Sequence, residues 1–317
     1  MVLSKKWGRL CAILGNVIFG FSYLFTGGAL EIVREGLRSL GLPESADVPV
    51  LLALRSILAL VILSLMIPLC GLRLHLRGKP VWKLILLGLF QPVLYFIGET
   101  YGLKMTGIVV SSVMISLLPV FSQFFSAAFL KEKTNLAQTL FGLLSVGGVI
   151  AVTLLSSGSG GKTYLAGVLL LCLAVASAVA FNLLGRSICT VFTPFERTYA
   201  MFAVASVCFS LIALCSVRGN VNAFLLPLHS GEFLLRLLYL GGLSSVAAFF
   251  LVNYAKTCLP VTEEASFSNV ITVVSTASGL VTETDPKQIL LLALLCLVIV
   301  AGVCGVQLFA PKTKSSE

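Results

Sequence analysis

Two ionisable side chains stand inside otherwise apolar stretches, Arg55 and Glu99. A charge at the centre of a lipid bilayer costs ~2.5–3.5 kcal/mol on insertion scales, so each needs a partner, a wet cavity or a way out. Arg55 lies seven residues and Glu99 five residues from the outer ends of their apolar stretches. At ~1.5 Å per helical residue the two depths differ by only ~3 Å. The pair either meets or shares one aqueous vestibule; the alternative is that Arg55 snorkels to the headgroups. Gln91, Tyr95 and Glu99 are spaced i, i+4 and i+8, one face of a continuous helix. Ser245, Phe249 and Asn253 repeat that spacing, as do Ser112, Ser116, Pro119 and Gln123, and Glu264, Ser268, Thr272 and Ser275. Serine and threonine in such stripes also serve helix-to-helix bonding, whereas Gln, Asn and Glu are harder to desolvate and point to a cavity. Asn16 and Asn182 are further polar residues in apolar surroundings, and Tyr23 adds an aromatic hydroxyl. The candidate binding residues are therefore Asn16, Tyr23, Arg55, Gln91, Tyr95, Glu99, Gln123, Asn182, Asn253 and Glu264. Glu99 is also the candidate for proton coupling, because a carboxyl set within a span can carry a proton between the two sides. Arg197, Glu263 and Glu264 either form an inner counterpart of Arg55 and Glu99 or are solvated span ends.

The residue types needed for other chemistries are missing. There is no H-E-x-x-H, no G-x-S-x-G and no Gly-rich phosphate loop. The only histidines are His75 and His229, and the nine cysteines contain no C-x-x-C. Zinc sites require clustered Cys and His ligands, so no metal, cofactor or catalytic residue is expected, and the cysteines read as small apolar packing residues.

The elements that must position these side chains are membrane helices. Of the 317 residues 58% are hydrophobic and 11% charged, with a mean hydropathy of +1.04. Soluble proteins hold ~45–50% apolar and ~25% charged residues. A cytosolic enzyme, a disordered chain and a disulfide-stapled secreted domain are excluded. Spans of ~20 apolar residues are expected at 7–29, 48–70, 84–104, 107–130, 135–155, 164–186, 194–216, 233–256, 262–283 and 287–309, ten in all. The first resembles a signal peptide in its Lys5, Lys6 and Arg9, but its apolar run is too long and no A-x-A site follows, so it is read as retained. With the N-terminus inside, fourteen Lys and Arg fall in inner loops and seven outside, which puts both termini in the cytoplasm. The net charge of +9 then reflects this bias and calls for no nucleic acid.

The Ser/Gly linker at 156–163 separates residues 1–155 from 164–317, five spans each. Aligning Gly88 with Gly242 sets Gln91, Tyr95 and Glu99 against Ser245, Phe249 and Asn253. An odd-numbered unit followed by its copy enters the membrane from the opposite side, so the halves would be inverted repeats, an arrangement used by secondary transporters with a midplane site.

Further residues carry a family resemblance over nearly the whole chain. The run Leu51 to Ala59, with Arg55 at its centre, is similar to the arginine-bearing signature of the EamA-type ten-helix members of the drug/metabolite transporter superfamily. Pro119 stands thirteen residues before Glu132, as in that family, and Phe19-Gly20-Phe21-Ser22 resembles its first-helix motif with Phe in place of the more usual Trp. In the second half Val270 stands where the matching proline of Glu283 is expected, which would confine any proline kink to the fourth span. Glu132 and Glu283 sit at helix ends, suited to capping or helix contacts. The resemblance implies export of a small-molecule substrate across the cytoplasmic membrane without ATP, and a dimer contact at the fifth and tenth spans, where Gly147/Ala151 and Ala301/Gly305 give small-x-x-x-small spacing. An amino acid or similar metabolite suits the mixture of Arg, Glu and Asn. Import of the same substrates, an intramembrane enzyme and a channel-like protein are the competing readings. The enzyme has no nucleophile–base pair to support it, and the channel no filter-like loop.

Overall fold

The computed structural model describes residues 5–72, 74–130, 136–156, 161–259 and 267–280, with isolated positions between 290 and 308. Everything regular among the described residues is helical. Six stretches are long and apolar enough to cross a membrane: Lys5–Ser39, Glu44–Leu69, Val81–Ile108, Tyr164–Gly185, Pro194–Ser216 and Gly231–Cys258.

Helix α1 (Lys5–Ser39) is longer than the expected first span. No proline interrupts it before Pro43, so Arg34 and Arg38, expected in an outer loop, ride on its last turns. It leads into α2 (Asp47–Leu69), which carries Arg55. An irregular segment follows, described at 70–72 and 74–80, and leads to α3 (Val81–Gly88), with Leu72, Leu74 and Leu76 packed on the core and His75 and Arg77 exposed.

The third expected span is not one straight helix. A π-helical turn, Leu89–Leu94, separates α3 from α4 (Tyr95–Ile115), and Gln91 within it is extended at φ −143°, ψ 119°. Pro92 supplies the cause, since it has no N–H to donate and its ring disfavours a helical residue before it. The Phe90 carbonyl accepts the Ser177 hydroxyl instead. The i, i+4, i+8 stripe is therefore corrected: Gln91 precedes the helix that carries Tyr95 and Glu99. The chain turns between the third and fourth expected spans at Gly107, whose φ of +82° favours a residue without a Cβ. The fourth expected span is also divided, with α4 ending at Ile115 and α5 (Leu118–Leu130) starting one residue before Pro119.

The remaining helices are α6 (Leu136–Ser156), α7 (Gly161–Ile188), α8 (Pro194–Ser216), the single turn α9 (Asn222–Leu225), α10 (Gly231–Leu238), α11 (Phe249–Cys258) and α12 (Asn269–Leu280). Between α10 and α11 runs a second π-helical segment, Tyr239–Ala248. Each of the two π segments thus follows an eight-residue helix. Of the tenth expected span only isolated helical positions are described, and 262–266 of the ninth lie outside the described residues.

The helices meet through small residues. On α4, a Cβ at Gly98 would strike the Leu170 carbonyl of α7, and one at Gly102 would strike Leu171. On α1, Gly8 and Gly15 lie against Cys258 and Val252 of α11, and Gly20 against Val274 of α12. Close backbone approach of this kind supplies dispersion contacts that lipid-facing leucines cannot. The pairings include α1 with α11 and α12, α4 with α7 and α12, α5 with α7, α3 with α8, and α2 with α8. Towards the α1 C-terminus the halves meet at Leu226 against Gly36 and at Arg236 against Gly28, and Ala223 and Pro227 are buried. Leucines of α6 face outward, Leu136, Leu140 and Leu143 among them.

Candidate functional site

A cavity lies between the two halves of the sequence, with ≈ 680 Å³ free of protein atoms when its open mouth is included. Its polar lining is Asn16, Ser22, Tyr23, Arg55, Gln91, Tyr95, Glu99, Asn182, Lys256 and Ser268. Its walls are aromatic and aliphatic: Phe19, Phe96, Phe181, Phe249, Ile115, Leu118 and Ile271 are among them.

Arg55 is 3% exposed and does not snorkel. Its Nε donates to Ser245 Oγ at 2.8 Å and its Nη2 to Ser244 Oγ at 2.9 Å. The π-helical segment makes this arrangement, because its wide turn lets the Ser245 hydroxyl donate to the Leu240 carbonyl and turn its lone pairs to the guanidinium. The Phe96 ring lies under the guanidinium carbon at 4.0 Å, a cation–π contact. No Arg55–Glu99 ion pair forms; the two residues share the cavity. Glu99 instead accepts the Tyr95 hydroxyl at 2.9 Å, the one-turn spacing expected on α4. The Tyr23 hydroxyl from α1 is buried, 2% exposed for the residue, and lies beside the Glu99 carboxylate and the Tyr95 hydroxyl.

At another part of the lining, Lys256 donates to Asn182 Oδ1 at 2.8 Å and lies 3.9 Å above the Phe181 ring. Asn16 Nδ2 donates back to the Ala12 carbonyl at 2.7 Å, which leaves its amide oxygen for the cavity. Phe249 sits at the centre of the aromatic wall, edge-on to Phe19, Phe96 and Phe202 with centroid distances of 5.0, 6.1 and 5.4 Å.

Seven of the ten candidates from the sequence therefore line one cavity: Asn16, Tyr23, Arg55, Gln91, Tyr95, Glu99 and Asn182. Asn253 does not. It is buried between α11 and α8, donating to Thr198 Oγ1 at 3.0 Å, while its carbonyl accepts Arg197 Nη2 at 2.8 Å. The side chain of Gln123, and Glu263 and Glu264 altogether, lie outside the described residues. Arg197 is 0% exposed, so the solvated-end reading does not hold for it. Lys256 was missed, because a lysine at the end of an apolar run reads as a headgroup anchor; its place one residue after Ala255 on the buried face of α11 was the available signal.

Two buried carboxylates stand away from the cavity. Asp47 receives Lys104 at 2.7 Å and Arg34 at 3.1 Å, all three from the first half. Glu196 receives the His75 backbone N–H at 2.7 Å and Lys79 at 3.2 Å, and these come from the 70–80 segment. Glu196 is also the third residue of α8, where it and Thr193 form a reciprocal cap. The sequence pattern Thr193-Pro194-Phe195-Glu196 announces that cap but not the ion pair.

Apolar helices around a buried, polar-lined cavity are the build of a polytopic membrane protein that holds a small solute. Comparison with known proteins names the group. The profile of the EamA-like transporter family matches residues 6–154. The uncharacterized transporter YcxC of Bacillus subtilis (strain 168) is 30% identical over 274 residues, 86% of this chain and 84% of that protein. A solved crystal structure shares the fold with a TM-score of 0.67 at 20% identity, over 98% of this chain and 100% of the other. The chain belongs to the EamA-like transporter family and is a multi-pass membrane transporter.

Proposed function

We propose that the protein is a secondary transporter of ten spans, built as two inverted five-helix halves, 1–155 and 164–317, joined by the 156–163 linker. It exports a small organic metabolite, an amino acid or similar, across the cytoplasmic membrane by alternating access, with both termini inside. The observation that carries this reading is the cavity, whose lining comes from both halves and whose Arg55 is bonded across them to Ser244 and Ser245. Rocking one half against the other opens such a site to each side in turn. The helix pairings support the inversion. Exchanging first-half helices for their second-half equivalents turns the α1–α11 pairing into α7–α4, and α1–α12 into α7–α5, and leaves α2–α8 unchanged. The matched eight-residue helices and π turns support it too.

Glu99, which faces the cavity beside the Tyr95 and Tyr23 hydroxyls, is the proton carrier of this reading. The test compares metabolite release from cells with and without the gene. A solute retained inside only when the gene is absent is the expected result. Accumulation that depends on the protein in the opposite sense would make it an importer, and no solute difference would remove the export reading.

A further inference from the structure

The two buried carboxylates sit at equivalent places, at the first turns of α2 and α8, yet they are neutralised differently. Asp47 is held by Arg34 and Lys104 of its own half, so relative movement of the halves leaves that cluster intact. Glu196 belongs to the second half, yet its cation, Lys79, and its His75 N–H donor come from the first, while the Thr193 N–H is its own. Residues 74–80 lie as a strap: Leu74 and Leu76 pack against the core, Lys79 lies 5.2 Å over the Phe192 ring, and among the described residues the carboxylate they attach to is Glu196.

We propose that residues 74–80 form the gate on the side of the membrane that bears Lys79, and that Glu196 is its latch. The inference rests on the alternating-access reading. Opening the cavity towards this side separates α8 from the strap and breaks the His75 and Lys79 bonds together. Release leaves neither charge stranded. The Lys79 side chain is already 27% exposed and passes into water. Glu196 keeps the Thr193 N–H at 2.9 Å and the positive end of α8, so the same side chain is latch when the gate is shut and cap when it is open. The Asp47 cluster, whose two cations and Val48 N–H all belong to its own half, stays closed throughout.

The test uses full-length protein with its native cysteines replaced, in membrane vesicles of both orientations. A reporter cysteine at Ala178, in the cavity lining, is labelled with a membrane-impermeant maleimide. Without a cross-link the reporter should react from both sides. With Lys79→Cys and Glu196→Cys joined by a disulfide, reaction from the Lys79 side should fall at least ten-fold and return on reduction, while reaction from the other side persists. Lys79→Ala alone should raise labelling from the Lys79 side several-fold, and Glu196→Gln, which keeps an acceptor for the cap, should do the same. Unchanged labelling from the Lys79 side in the cross-linked protein overturns the latch and leaves alternating access standing. A reporter never reached from that side in the uncross-linked protein overturns alternating access itself.

Discussion

At the scale of single residues, the cavity gathers hydroxyls, charges and rings from both halves. Arg55 is engaged with Ser244, Ser245 and Phe96, and Lys256 with Asn182 and Phe181, while the Tyr23 hydroxyl stands at the lining beside Glu99 and Tyr95. Tyr23→Phe should therefore leave the fold and expression unchanged while raising KM for the transported solute about five-fold, the worth of roughly 1 kcal/mol. An unchanged KM would take Tyr23 out of the binding surface. Glu99→Gln keeps the size and the Tyr95 hydrogen bond but holds no exchangeable charge. Its transport should proceed with no dependence on pH between 6 and 8, roughly the range over which a gradient is normally applied. Retained pH dependence moves proton coupling elsewhere. Asp47→Asn removes a carboxylate that is fully buried while Arg34 and Lys104 can still reach water. A loss of about 1–3 kcal/mol is expected, read as a lower melting temperature in detergent.

At the scale of elements, the readable features were those that contrast with lipid. Arg55, Glu99 and Asn182 stand out because a polar group among aliphatic neighbours has few alternatives to a cavity. What stayed hidden depends on backbone geometry. Pro92 breaks the third span, so a stripe counted along an unbroken helix assigned Gln91 to the wrong turn, although the residue still reaches the cavity. Asn253 fits the repeat by spacing, but the wide turns at Tyr239–Ala248 shift the face it presents, and it ends against Thr198. Close helix contacts were visible only as glycines, which are common in membrane helices anyway. Gly98→Val is the sharpest test of them, because the new side chain would meet the Leu170 backbone and no rotamer relieves it. We expect α4 and α7 to part, with loss of folded protein on size-exclusion chromatography, while Gly147→Val, where the surroundings are open, should behave as wild type.

At the scale of the whole molecule, the exchange of α1–α11 for α7–α4 and of α1–α12 for α7–α5 ties the two halves into one pattern of contacts. If each half has an odd number of spans, the linker and the C-terminus must lie on opposite sides. A reporter inserted between Ser157 and Gly160 should read external, and one fused after Glu317 cytoplasmic. The same compartment for both would defeat the inverted-repeat architecture. The composition made the membrane legible at once, but no count of apolar residues contains the distinction between a cluster internal to one half and a cluster that joins two.

On the alternating-access reading, that distinction gives the cycle two unlike resting closures. One is ionic, Lys79 on Glu196 at a site that reaches water; the other rests on apolar contact, Leu226 against Gly36. Ionic strength weakens the first by screening and leaves the second untouched. Cooling weakens the second, since hydrophobic association loses strength as temperature falls. If the halves rock as proposed, salt and temperature act on opposite half-cycles, and the two kinetic steps of a turnover should be told apart by changing only the buffer and the bath.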